Sequence, residues 1–292
     1  MARFLLSIRE ALLQALRHDV FNTAKAAAYS GMLCLFPAVV VLTTVLAQVP
    51  EGNTLVGEMR GSFEQFMPVD SLTLLQSSLQ SRHLRSVQVI FSAASLSVFA
   101  ALGLMLSLME GFRRAYQLPR DDWGFWQRRA RALLLVPIVL VPLFFASLVL
   151  VFGRQIEGWM IANAGHELRH VVLFSWRMVR WTVAVLTGAT VLAALYHFGM
   201  RQREHWFWVF PGAMAASLVW FSSTLAFGWY VTRVADYSIF YGSFAAGIAT
   251  LVWLYITTFS ALLGAELNGV LFHGRQAGGS ADPPASSISS SL

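Results

Sequence analysis

The chain alternates between long stretches free of charge and short stretches dense in it. Between Lys25 and Glu51 lie 25 residues without Asp, Glu, Lys or Arg, and between Arg85 and Glu110 there are 24. Four further gaps follow, of 22 residues after Arg131, 20 after Arg180, 28 after Glu204 and 29 after Asp236. Apolar side chains dominate each gap. A helix needs about 20 such residues to cross roughly 30 Å of hydrocarbon. The pattern therefore predicts six membrane-spanning helices, near 27–49, 87–109, 132–153, 180–200, 207–231 and 242–266. A stretch such as "LLLVPIVLVPLFFASLVLVF" is apolar on every side and lacks the period-two alternation that a membrane β-barrel strand requires. The expected fold class is all-α: a polytopic membrane protein with a bundle of six transmembrane helices and an amphipathic N-terminal helix.

That N-terminal helix is read from "RFLLSIREALLQALRHDVF". Leu5, Ile8, Leu12, Leu16 and Val20 recur at steps of three and four, while Arg3, Ser7, Glu10, Gln14 and Arg17 lie off that stripe. Two placements fit it equally, along the inner membrane surface or against the protein's own cytoplasmic face. Residues 1–24 form this segment and 25–272 the membrane domain. The Gly-, Ser- and Pro-rich end, 273–292, lacks the apolar content for a core and is expected to be a disordered tail. A second amphipathic stretch, "DSLTLLQSSLQSRHLRS", begins at Asp70 in the first outer loop.

Composition supports the membrane reading: 57% of residues are hydrophobic and only 12% charged, against about 25% charged in soluble domains. The first 25 residues carry too many charges for the apolar core of a cleaved signal peptide. With the N-terminus inside, the inner segments carry 13 Lys and Arg and the outer ones 8, six of the 13 lying between Glu110 and Ala132. This bias places both termini in the cytoplasm. The single cysteine, Cys34, excludes an intrachain disulfide and any multi-cysteine metal site.

Candidate chemistry is sparse. His166, Glu167 and His170 satisfy H-E-x-x-H, the zinc-protease pattern, but the match is short and falls in a predicted outer loop without a third ligand. A surface loop is the preferred reading. No phosphate-gripping G-x-x-x-x-G-K-[ST] sequence is present. The pattern asks for no catalytic residues, no resident metal and no cofactor. Softer features lie inside the spans. Pro37 and Pro211 remove backbone donors, Tyr29 and Gly212 flank them, and Ser222, Ser223, Tyr241 and Gly242 add polar or small surface. These residues either pack helices or line a path between them. Glu266 and Asn268 follow the longest uncharged run. Glu266 is expected near the cytoplasmic boundary, either paired with Lys25 as a staple between the first and last spans or guarding the inner mouth of a path.

Four stretches carry a family resemblance: "KAAAYSGMLCLFPAVVVL" from Lys25, "FSAASLSVFAALGLMLSLMEGFRRAY" ending at Tyr116, "WFWVFPGAMAASLVWFSSTLAFGWYV" from Trp206, and "YSIFYGSFAAGIATLVWLYITTFSALLGAELN" from Tyr237. Over roughly residues 10–272 the chain resembles the YihY/BrkB family of bacterial inner-membrane proteins. It departs from relatives at Ala93-Ala94-Ser95-Leu96-Ser97, where they often carry a glycine. The resemblance implies six helices in the inner membrane without a settled activity. A ribonuclease label attached to some relatives finds no clustered His/Asp ligands here, and no nucleic-acid partner is expected. The expected function is an inner-membrane transporter or flippase-like protein for a lipid or small solute. The alternative is a structural or scaffolding protein of the cell envelope. Expected partners are membrane lipids, with a homo-oligomer or envelope proteins open.

Overall fold

A computed structural model describes residues 2–46, 87–119, 124–163, 169–200, 205–233 and 244–279. They form seven helices: α1 (Ala2–Arg17), α2 (Val20–Leu46), α3 (Val87–Ala115), α4 (Phe125–Asn163), α5 (Arg169–Gly199), α6 (Trp206–Arg233) and α7 (Ala245–Gly279). The last six each contain a window long and apolar enough to cross a membrane. Charge-free length thus locates every span, and each helix runs on past at least one predicted end because charged flanks are helical too. The largest difference is at α7, which continues through Gly279, beyond the boundary expected at 273. The Asp70 segment, Tyr241, Gly242, His166 and Glu167 lie outside the described residues.

Helix ends follow from local chemistry. Between α1 and α2 the chain turns at Asp19, whose φ of 58° is left-handed. A short polar side chain tolerates that region, and the Asp19 carbonyl then accepts the first bonds of α2 from Thr23 N (3.1 Å) and Thr23 Oγ1 (3.1 Å). α3 stops in a Schellman turn: Leu118 N donates to the Arg113 carbonyl at 3.0 Å and Gln117 N to that of Arg114 at 2.9 Å. Gln117, at φ 51°, occupies the left-handed position that usually holds glycine. Arg113 Nη1 closes the turn by donating to the Leu118 carbonyl at 3.0 Å.

The six spanning helices close a ring in sequence order, each packing on the next and α7 returning to α2. α7 also touches α3 across the ring and α1 outside it, which makes it the best-connected helix. Buried side chains collect early in α2 (Ala24, Ala27), late in α3 (Phe112, Ala115), early in α4 (Ala132, Leu135), late in α5 (Ala193, Tyr196), early in α6 (Val209, Ala213) and late in α7 (Leu262, Ala265). Because successive spans run antiparallel, all of these lie at one end of the bundle. It is also the end where both described termini and the arginines of the α3–α4 connection lie. Alanine dominates this core. In lipid, where burial of apolar surface brings no gain, association depends on close van der Waals contact, and small residues permit it.

Candidate functional site

The tightest part of that end is built along one helix, α7, whose successive residues meet different neighbours. Thr258 donates to the Ala24 carbonyl of α2 at 3.1 Å. Ala261 offers its carbonyl to the Tyr196 hydroxyl of α5, which donates at 2.5 Å. Leu262 fills the space above Gly111 of α3. Gly264 and Asn268, four residues apart and so on one face, meet α6. Gly269 lies against the Ala115 carbonyl of α3.

The crossing of α6 and α7 admits no extra atom. A Cβ on Gly264 would fall 2.5 Å from that of Ala216 and 2.7 Å from the Tyr196 oxygen, and one on Gly212 would strike the Gly264 carbonyl and the Asn268 amide. With the backbones this close, Asn268 spends both ends of its side chain on α6: Oδ1 accepts from Gly212 N at 2.8 Å and Nδ2 donates to the Val209 carbonyl at 2.8 Å. A buried amide with donor and acceptor both used avoids the cost of an unpaired polar group. Pro211 beside it lacks a backbone donor, which leaves the carbonyl one turn earlier without its usual partner.

Glu266 is fully buried, and His18 is its partner. His18 Nδ1 lies 3.0 Å from both carboxylate oxygens. Burial favours an overall neutral pair, since a lone charge out of water is costly. The Lys25–Glu266 pair expected from the sequence does not form. α2 turns Ala24, Ala27 and Ala28 inward, and Lys25 sits about 100° around the helix from Ala24. Its Nζ donates instead to Asn22 Oδ1 at 3.3 Å on the exposed side. Nor is Glu266 at a helix end, because α7 runs on for more than three turns past it to Gly279. The carbonyls around it are paired along the helix, so the dipole end is distant.

His18 reaches Glu266 because α1 lies on α7. Ala11 is buried there beside Leu267 and Val270, and Ala15 is buried in the main core. With Gln14 and His18 they form a face at steps of three and four. Of the apolar stripe expected from the sequence, Ile8, Leu12 (49% exposed) and Leu16 (63% exposed) point outward and Val20 is buried; Leu6 and Leu13 beside them are outward too. Outside this bundle lies lipid, so apolar side chains need no burial against protein, and the smaller, more polar face turns in.

The other candidates scatter. Tyr29 shares the outward face of Lys25 and is exposed, Pro37 and Ser223 are half-buried, and Ser222 is exposed toward the opposite end of α6. The structure brings Gly212, beside Pro211, together with Asn268, sets Glu266 apart against His18, and joins none of the others to them. It adds His18, Tyr196 and Thr258, which the pattern along the chain does not single out; the Ala11–Gln14–Ala15–His18 spacing is the available signal for His18. Among the described residues no group of three His, Cys, Asp or Glu could hold a metal ion.

Residues 11–289 match the family model described as virulence factor BrkB, and the chain belongs to that family. Among curated proteins it is similar to YfkH of Bacillus subtilis, described as ribonuclease-like, with 26% identity over 87% of this chain and 90% of that protein. It is 26% identical to a UPF0761 membrane protein of Chromohalobacter salexigens over 93% of this chain, and 27% identical to one of Alkalilimnicola ehrlichii over 87%. The chain spans only 64% and 56% of the length of those two relatives. No solved structure matches it significantly.

Proposed function

We propose that this BrkB-family chain is a transporter or flippase-like protein of the bacterial inner membrane, with both termini in the cytoplasm, that moves a lipid or small solute along its helix ring. One observation carries the reading: among the described residues, close packing is concentrated at one end. There the α6–α7 crossing and Asn268 close the ring, and the His18–Glu266 pair fastens α1 to it. Toward the other end the described residues bury little beyond Thr44 of α2 and Ala245 and Ala249 of α7. A bundle shut on one side and loosely packed on the other is one of the two states that alternating access requires. On this reading Glu266, Asn268, Pro211 and Gly212 belong to the closed gate. Tyr29, Pro37, Ser222, Ser223, Tyr241 and Gly242 belong to the path or to the helices that move around it.

The test is reconstitution in liposomes with fluorescent lipid analogues and radiolabelled small solutes. Movement above that of empty liposomes, reduced when the loose end is cross-linked by engineered cysteines, supports transport. Its absence across lipid classes and solutes in a correctly folded preparation overturns it.

A scaffolding role is the second reading, favoured by a different feature. An apolar hollow of about 450 Å³ lies along α3, lined by Phe91, Ala94, Ser95, Val98, Phe99 and Leu102. It is an open, apolar strip of helix surface, and such a strip suits the helix of another membrane protein. Loss of a co-purifying envelope protein on changing Ala94 to Trp, with no flux in the wild type, would favour that role.

A further inference from the structure

Where α3 meets α4, at the arginine-rich end, a single carboxylate gathers three guanidinium groups. Glu110 Oε1 accepts from Arg113 Nη2 at 2.6 Å and from Arg114 Nε at 3.3 Å. Its Oε2 accepts from Arg113 Nε at 3.2 Å and from Arg128 Nη2 at 3.0 Å. Arg113 also closes the end of α3 through the Leu118 carbonyl, so its role is structural. Arg114 and Arg128 are committed far less. Arg114 gives Glu110 only its Nε, and Arg128 only one terminal nitrogen. Their side chains are 40% and 38% exposed. A guanidinium carries several further N–H donors in a rigid fork, and on these two arginines the remaining donors have no partner among the described residues.

The charge balance sharpens the point. Among the described residues three positive groups face one carboxylate, an excess of two charges. Fastening α3 to α4 needs only Glu110 and one nitrogen of Arg128, so Arg114 is surplus to that task. The depth of the cluster is marked by its neighbours. Phe125 and Trp126, at the start of α4, are 62% and 78% exposed and meet edge to face at 5.4 Å, and the Arg129 guanidinium lies 3.4 Å above the Phe125 ring. Exposed aromatic rings at the end of a spanning helix sit at headgroup level. The outward donors of Arg114 and Arg128 are therefore held at the depth of the lipid phosphates, whose geometry an arginine fork matches.

We propose that Arg114 and Arg128, beside Glu110, form a binding site for the phosphate group of an anionic membrane lipid, with Phe125 and Trp126 resting beside its glycerol region. The site lies on the rim between α3 and α4 and does not depend on whether the ring transports anything.

The experiment uses the full-length protein in nanodiscs of mixed phosphatidylglycerol and phosphatidylcholine, with the lipids retained after release counted by native mass spectrometry. The wild type is expected to keep phosphatidylglycerol over phosphatidylcholine, and R114Q/R128Q to lose that preference by about tenfold or more. E110Q, which removes the competing carboxylate, should keep the preference or raise it, and R114K/R128K should fall between because charge survives and the fork does not. Equal phosphatidylglycerol retention by the wild type and R114Q/R128Q overturns the site, as does loss of preference in E110Q. Inorganic phosphate added to lipid-free protein in neutral detergent separates the two sources of the anion. Little thermal shift is expected, and a shift as large as phosphatidylglycerol produces, absent in R114Q/R128Q, would assign the site to a free anion and overturn the lipid.

Discussion

His18 Nδ1 stands 3.0 Å from each carboxylate oxygen of Glu266, joining residues 248 positions apart. The contact fixes α1 to α7 at the point where the chain turns into α2. His18 remains 21% exposed while Glu266 has no exposed surface, so water reaches the pair from the histidine side only. Removing one partner of a buried pair leaves the other uncompensated, at about 3–5 kcal/mol. Glu266→Ala is therefore expected to lower the melting temperature in detergent sharply, and H18Q/E266Q together less than the sum of the single changes. The coupling from a double-mutant cycle should be about 1–3 kcal/mol. The same cycle between Lys25→Ala and Glu266→Gln should give a value within error of zero.

The α6–α7 crossing predicts a graded response to size. Gly264→Ala brings a methyl group against Ala216 and the Tyr196 hydroxyl, and overpacking of this kind costs about 1–3 kcal/mol. Gly264→Leu should prevent recovery of folded protein. At Gly274, on the same helix, an added methyl group would meet nothing within 4 Å, and Gly274→Ala should be neutral or add up to about 1 kcal/mol from helix propensity. Size-exclusion profiles and melting curves of the three variants measure this. Equal behaviour of Gly264→Ala and Gly274→Ala would contradict the crossing.

Asn268 is expected to resist its closest replacements. Leucine of similar volume leaves Gly212 N and the Val209 carbonyl without their side-chain partner, costing about 1–3 kcal/mol. Aspartate keeps the acceptor for Gly212 N but turns a carboxylate oxygen toward the Val209 carbonyl, so Asn268→Asp should be the worse of the two. Thermal unfolding of both variants decides the order.

Gln117 holds a left-handed backbone, φ 51°, at the end of α3. A side chain there costs about 1–2 kcal/mol. Gln117→Gly should therefore raise stability by an amount toward the lower end of that range, because glycine also loses more chain entropy on folding. A melting temperature unchanged or lowered would mean that the Arg113 cap already offsets the strain.

The two faces of α1 should report different surroundings. A tryptophan at Leu12 or Leu16, on the outward face, is expected to be quenched by brominated lipid when the other tryptophans serve as the baseline. Ala15→Trp, on the face against α7, should instead detach α1 and expose it to protease. Quenching absent at both outward positions would remove α1 from the membrane surface.

Much of this architecture follows from chain composition alone. Six runs of 20 to 29 uncharged residues leave only one economical fate for each, a helix across the bilayer, because backbone groups in hydrocarbon must be satisfied within their own segment. The period of the apolar residues before Val20 likewise specifies a helix in that segment. Which side of it faces the bundle was decided by tertiary structure. In lipid the leucine stripe gains nothing by turning inward, so Ala11, Ala15 and His18 could take the protein face. The same holds for Glu266. Its place at the end of a long apolar run marks it as unusual, but its partner depends on which helices are neighbours. That order is set by close approach at residues such as Gly264 and Gly212, where the absence of a side chain matters more than any pattern of apolar residues. Lys25, a cation at a similar depth, was excluded by about 100° of helical rotation. Length and polarity along a chain determine where it crosses a membrane; rotation about each helix axis, and the small residues that let two axes meet, determine what each side chain touches.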